Sequence, residues 1–202
     1  MSSHKRRSYG YGARKFPKNV GKLGEAWEMA LQIATASKAP IHEALVPAKL
    51  FEVGIGNLFF SRALPDGHIA LGCFLLDVFC LGVKNAFVTI VARDGYAQRR
   101  RSCSTAESLQ PMSVACFRKL VEGGVAYAHD LGFRPHKDYA VTSQIFGDLE
   151  STTCPTRFEY GHEGKPFYVS GPHETFAQVT ATVEQLERRL GTGNFDYLVL
   201  AS

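Results

Sequence analysis

The stretch LFFSRALPDGHIALGCFLLDVFCLGVKNAFVTIVA, residues 58–92, contains three apolar runs separated by turn residues. The dipeptide Asp66-Gly67 divides the first two runs, and such a dipeptide between apolar runs is typical of a tight β-hairpin. Another apolar run follows Gly82. Three successive antiparallel strands are therefore predicted, at 58–64, 68–81 and 83–92.

Helical patterns flank this sheet. Apolar residues recur every three or four positions at 23–36, 114–131 and 176–190, and Pro172 is expected to open the last of these helices. The middle helix has Ser113 as an N-terminal cap and Gly132 as a stop. Its internal pair Gly123-Gly124 costs about 1 kcal/mol per residue relative to Ala, which predicts the close approach of another backbone.

The other segments complete the prediction of an α+β fold. Residues 93–111 are rich in Arg and Ser and are expected to form an exposed loop. Patterns further along predict a short helix at 138–146, a second hairpin made of 157–160 and 166–170, and a last strand at 195–200. This order of elements favours helices packed on a largely antiparallel sheet.

Basic residues are concentrated at the start of the 202-residue chain. The whole chain has 23 Lys and Arg against 19 Asp and Glu, a formal net charge of +4, yet the first 24 residues hold seven bases and no acid. The remainder, with 16 bases and 19 acids, is therefore at −3. Since residues 1–19 also lack apolar periodicity, we predict a disordered basic arm at 1–19 and a single α+β domain at 20–202.

Cations and aromatic rings alternate in the arm, a combination that neutralises phosphates and stacks on unpaired bases. A run of three arginines in the 93–111 segment is a second cationic site. The predicted nucleic-acid contacts are Lys5, Arg6, Arg7, Tyr9, Tyr11, Arg14, Lys15, Phe16, Lys18, Arg99, Arg100 and Arg101. The competing interpretations are a tail that only improves solubility, or one that binds an acidic protein.

The leading functional prediction is a non-catalytic, nucleic-acid-associated accessory protein. RNA is the expected ligand, and the folded body is expected to dock on a larger protein or ribonucleoprotein. No cofactor and no membrane partner are expected. A protein–protein interaction module is an alternative.

A second alternative is enzymatic and centres on Asp77. Both faces of its strand are apolar, so an ionised carboxylate there is costly unless it is paired or bound to a metal. The structural interpretation, which we favour, is an ion pair with Lys84 or an arginine. The alternative is a metal-dependent nuclease with a ribonuclease-H-like sheet, in which Mg²⁺ is bound by Asp77, Glu122 and either Asp148 or Asp196.

The cysteines favour a cytoplasmic protein. There are five, an odd number, and none forms a C-x-x-C pair, so reduced thiols are expected. The longest nearly uncharged run, 69–83, is too short for a membrane helix, and no secretory signal pattern follows the basic start.

Three segments resemble an uncharacterised family of bacterial soluble proteins. They are FLLDVFCLGVKNA at 74–86, YAHDLGF at 127–133 and GKPFYVSGP at 164–172. The resemblance spans about residues 50–200 and omits the basic arm. It implies that the three segments belong to one folded unit, and it transfers no activity and no catalytic residue.

Overall fold

The computed structural model describes residues 31–106 and 108–200, without the side chains of 103–106. Residues 31–36 are helical and are called α1. The later elements are β1 (Ile41–Pro47), α2 (Leu50–Val53), β2 (Ile55–Ala63), β3 (Ile69–Asp77), β4 (Gly82–Val91), α3 (Arg93–Ala106), β5 (Leu109–Pro111), α4 (Val114–Asp130), α5 (Tyr139–Thr142), a 3-10 turn (Ser143–Phe146), β6 (Phe167–Val169), α6 (Phe176–Leu190) and β7 (Asp196–Leu198).

A five-stranded antiparallel sheet is the centre of the fold, with the strand order β4-β3-β2-β1-β5. The predicted hairpin and its third strand are confirmed, since Ala63 pairs with Ile69 across the turn and β4 pairs with β3. In the turn, the Asp66 carboxylate accepts a hydrogen bond from the backbone N–H of His68 at 3.0 Å. The α+β prediction is therefore confirmed. No helix of the described residues is long and apolar enough to cross a membrane.

The first face of the sheet carries the main core. Phe60 and Phe74 project from β2 and β3 and contact Phe117 of α4 and Phe146 of the 3-10 turn. The predicted helix at 114–131 is confirmed, and Ser113 Oγ accepts from the backbone N–H of Cys116. Alternate residues of the strands therefore bury one apolar face under α4, as the sequence pattern requires.

The close approach predicted at Gly124 is also present. A side chain at Gly124 would lie 2.7 Å from Leu76 of β3. On the sheet side, Gly82 has a φ of +64°, and a Cβ there would lie 2.7 Å from the carbonyl oxygen of Gly124. Because both glycines lack a Cβ, α4 can pack directly on the β3–β4 turn.

Helix α3 replaces the predicted loop at 93–111, and β5 follows it. The loop prediction was wrong because the arginine-rich segment is anchored to the sheet through a buried aromatic side chain. Tyr96 is buried on the second face of the sheet against Leu45, Ile69 and Leu71. A single aromatic anchor produces no apolar periodicity, so the sequence pattern did not reveal the helix.

The prediction of a second hairpin, made of 157–160 and 166–170, was wrong as well. Residues His162 and Lys165 form only an isolated bridge, and β6 pairs in parallel with β7. Helix α6 connects these two strands and is confirmed, but it begins at Phe176 and not at Pro172, because Thr175 and Gln178 form a capping box there. The last strand is confirmed at Asp196–Leu198, shorter than predicted.

A disulfide joins Cys116, in the first turn of α4, to Cys154. The expectation of reduced thiols is therefore wrong for this pair, while Cys80 is a buried free thiol. The two bonded cysteines are 38 residues apart in the chain, and their Cα atoms lie only 4.9 Å apart. Folding brings them together, so the spacing along the chain carried no signal.

Reduction of this disulfide is expected to lower the free energy of unfolding by about 2–4 kcal/mol, because the cross-link restricts the unfolded chain. Urea unfolding with and without dithiothreitol measures the effect. The control is the double variant Cys116→Ala/Cys154→Ala, whose unfolding midpoint should not respond to the reductant. A wild-type midpoint that also ignores the reductant would contradict the prediction.

Candidate nucleic-acid interface

The predicted contacts divide into two groups in the structure. Those of the arm lie outside the described residues: Lys5, Arg6, Arg7, Tyr9, Tyr11, Arg14, Lys15, Phe16 and Lys18. The other three, Arg99, Arg100 and Arg101, lie on helix α3 and are exposed. The geometry of the candidate interface is therefore that of α3 and the sheet beneath it.

Helix α3 distributes its arginines to opposite flanks, because successive helical residues are about 100° apart around the axis. Arg99 borders a depression that we call the sheet groove. Arg93, Arg100 and Arg101 line a second depression that we call the arginine pocket. A run of three arginines in the sequence thus serves two separate sites.

The sheet groove lies between α3 and the second face of the sheet and has a volume of about 550 Å³. Phe59, Cys73 and Phe87 form a row across β2, β3 and β4, one residue from each strand. The first two are buried, whereas Phe87 is 49 % exposed. The groove places an accessible aromatic ring beside the Arg99 side chain, which makes no salt bridge with any residue the structure describes.

The exposure of Phe87 has a local cause. The flank of α3 that faces it consists of residues with small or polar side chains, namely Gly95, Gln98, Arg99 and Ser102. Gly95 and Ser102 are too small to cover the ring, and β4 lies at the edge of the sheet. Sequence reasoning missed Phe87 because an aromatic residue in a strand is normally expected in the core.

The arginine pocket lies on the other flank of α3, against the start of β1, and has a volume of about 420 Å³. Its floor is a hydrogen-bonded group in which Tyr96 Oη donates to Glu43 Oε1 at 2.5 Å. Arg100 Nε lies 3.6 Å from the same carboxylate oxygen. Burial, and then the bond to Glu43, raise the pKa of Tyr96, so the phenol keeps its proton and remains a donor.

Asp77 is only 6 % exposed, and it stabilises the β3–β4 turn. Its Oδ1 accepts from the backbone N–H groups of Phe79 and Cys80, both at 2.9 Å. Burial raises the pKa of Asp77, and the turn hydrogen bonds oppose that shift. The predicted ion pair with Lys84 or an arginine was wrong: Lys84 instead pairs with Glu174 at 3.0 Å, and Asp77 makes no salt bridge within the described chain.

Glu122 belongs to what we call the arginine clamp, in which Arg62 and Arg118 bind the backbone of 145–149. Glu122 accepts from Arg118 Nε at 2.7 Å and from Ser151 Oγ at 3.1 Å. Arg118 also donates to the carbonyls of Gly147 and Leu149. This carboxylate therefore orients an arginine.

Arg62 forms the other half of the clamp and donates to the carbonyls of Ile145 and Phe146. Burial lowers the pKa of Arg62, and the nearby Asp148 opposes that shift. Within 31–106 and 108–200, no group of three His, Cys, Asp or Glu residues is placed to hold a metal ion. The described structure thus does not assemble Asp77, Glu122 and Asp148, or Asp196, into a site.

Exposed apolar side chains are concentrated at the C-terminal end of the described chain. Phe176, at the start of α6, is 84 % exposed. Four consecutive residues in and after β7 are about half exposed, namely Tyr197, Leu198, Val199 and Leu200. This surface is the feature that a protein-interaction module requires.

Comparison of the chain with protein-family models, with curated proteins and with solved structures finds no match. No residue role is carried over from another protein.

Proposed function

We propose that the protein binds single-stranded nucleic acid in the sheet groove, with RNA as the expected ligand, and that it acts as a non-catalytic binding protein. The observation that carries this proposal is the half-exposed Phe87 beside Arg99. A base stacks on the ring, and the guanidinium contacts a neighbouring phosphate. The basic arm supplies further cations.

Charge supports this location. Outside the first 24 residues the chain is at −3, so most of the body repels a polyanion. Helix α3 is the local exception, with four arginines against the single acid Asp94. A nucleic-acid strand would therefore be attracted to α3 and away from the acidic remainder.

The nuclease alternative has no comparable support. A metal-dependent mechanism needs carboxylates that converge on an ion. Asp77 already accepts two turn hydrogen bonds, and Glu122 is engaged by Arg118 and Ser151. We therefore do not propose catalysis.

Replacing Phe87 by Ala is expected to weaken binding of an unstructured 12-nucleotide RNA by about 5- to 150-fold, because base stacking on an aromatic side chain contributes about 1–3 kcal/mol. Fluorescence anisotropy of the labelled RNA measures the dissociation constant. The variant should remain folded, since half of the ring is in solvent.

The matched control is Ile90→Ala. Ile90 lies on the same strand and is also partly exposed, but it pairs with Ala70 on the opposite face of the sheet. Its replacement should leave the affinity unchanged. Equal effects of the two variants, or none from Phe87→Ala, would refute the sheet groove as the binding site.

A further inference from the structure

The arginine pocket is separate from the sheet groove, although both are formed by α3. It is lined from the helix by Arg93, Ala97, Arg100 and Arg101, and from the sheet by His42 and Glu43 among others. We propose that this pocket binds a phosphate monoester, carried either by the end of a nucleic-acid strand or by a free nucleotide. The strand-end case rests on the proposed function, whereas the nucleotide case does not.

Helical spacing brings the cations of the pocket together. Arg93 and the pair Arg100-Arg101 are seven and eight residues apart, two turns of the helix, so they share one flank of α3. Three like charges around one concave surface repel one another. A bound anion removes that repulsion, and the planar guanidinium groups match the oxygens of a phosphate in pairs.

The single carboxylate of the pocket positions the cations. Glu43 contacts Arg100 through Nε and holds the Tyr96 hydroxyl, so the contact does not use the two terminal nitrogens of Arg100. Arg93 makes no salt bridge with the described residues. The pocket thus combines an anchored arginine, Arg100, with Arg93 on the same flank, which can approach a ligand.

Charge distinguishes the kind of phosphate. Three arginines and one glutamate give the pocket a net charge of +2, counted with His42 neutral. A phosphate monoester carries about −1.5 to −2 at pH 7, whereas a phosphodiester inside a strand carries about −1. The monoester is therefore the better electrostatic match. The volume of about 420 Å³ lies within the range of small-ligand sites.

Two measurements on the full-length protein test the proposal. The first compares AMP with adenosine by isothermal titration calorimetry. The second compares 12-nucleotide RNAs of one sequence that end in a 5′-phosphate, a 3′-phosphate or hydroxyl groups only, by fluorescence anisotropy. At least one phosphorylated ligand is expected to bind about 10-fold or more tightly than its unphosphorylated counterpart, because charge-assisted hydrogen bonds form to the phosphate.

Arg93→Gln is expected to reduce this preference to about twofold or less, because it removes one of the guanidinium groups that bind the phosphate. The matched control is Arg99→Gln, which makes the same change of charge on the same helix but on the flank of the sheet groove. It should weaken the phosphorylated and hydroxyl-ended RNAs alike, and it should keep the preference for phosphate in every pair.

These measurements also distinguish a free nucleotide from a strand end as the source of the phosphate, and they distinguish failure of the pocket from failure of the proposed function. A preference for AMP alone supports the free-nucleotide form, and a preference for phosphorylated strand ends alone supports the strand-end form. If each phosphorylated ligand binds only as tightly as its unphosphorylated counterpart, the proposed phosphate site is overturned. It is also overturned if Arg99→Gln loses the preference for phosphate to the same extent as Arg93→Gln. If hydroxyl-ended RNA still binds and depends on Phe87, the pocket fails and the proposed function stands. If AMP binds and no RNA binds, the pocket stands and the proposed function fails.

Discussion

Deletion of residues 1–18 is expected to weaken binding of single-stranded RNA by about 100-fold or more at 0.1 M salt. The deleted segment holds six basic residues, namely Lys5, Arg6, Arg7, Arg14, Lys15 and Lys18. For a single strand the logarithm of the affinity falls with the logarithm of salt concentration by about 0.7 for each phosphate neutralised. Loss of six contacts should therefore flatten the slope by about 4.

Two full-length controls separate charge from stacking in the arm. Replacing the six basic residues by Gln should reproduce the flattened slope, because it removes the same cations. Replacing Tyr9, Tyr11 and Phe16 by Ala should lower the affinity and leave the slope unchanged, because stacking releases no counterions. An unchanged affinity and slope after the deletion would show that the arm does not contact nucleic acid.

Replacing Arg62 by Met is expected to lower the free energy of unfolding by about 3–5 kcal/mol. The Arg62 side chain is 6 % exposed and donates to the carbonyls of Ala39, Ile145 and Phe146, each at 2.6 Å. Methionine fills much of the same volume but leaves three carbonyl groups without that donor. Urea unfolding monitored by circular dichroism measures the loss.

Arg62→Lys is the informative control, because lysine keeps the charge but presents a single nitrogen in place of the guanidinium fork. The free energy of unfolding of Arg62→Lys should lie between those of wild type and Arg62→Met. If the free energy of unfolding of Arg62→Met is within about 1 kcal/mol of the wild-type value, the hydrogen bonds of the clamp contribute little net stability. The segment 145–149 would then be held mainly by the packing of Ile145 and Phe146, which are both buried.

Strong local patterns predicted most of the elements that carry the main core. Asp66-Gly67 between apolar runs identified the β2–β3 hairpin, and the capped apolar stripe after Ser113 identified α4. These elements were predictable because turn chemistry and apolar periodicity are properties of neighbouring residues. Strand β1 was missed, although it pairs with β2 on one side and β5 on the other.

The elements and bonds that were predicted wrongly have one cause in common. The buried Tyr96 anchors helix α3 on the sheet, β6 pairs with a strand that follows α6, and the disulfide spans 38 residues. Each of these features is stabilised by contacts between distant segments. A pattern within a short window of sequence contains no information about such contacts.

For the candidate site, the sequence could predict a cluster of positive charge but not the positions of the side chains that carry it. The run Arg99, Arg100 and Arg101 was recognisable as cationic, but a loop was expected to present the three side chains together. On a helix they divide between the sheet groove and the arginine pocket. Phe87 joined the site because α3 leaves it uncovered, which no property of β4 alone could indicate.

The sequence by itself determined the α+β class, the three-stranded meander and the contrast in charge between the basic first 24 residues and the net acidic remainder, because periodicity, turn residues and charge are local quantities. Only the tertiary structure decided that the arginines line two sites on opposite flanks of α3, that Asp77 stabilises a turn, and that Glu122 orients an arginine. Those outcomes depend on which surfaces pack together, and packing is set by the whole chain.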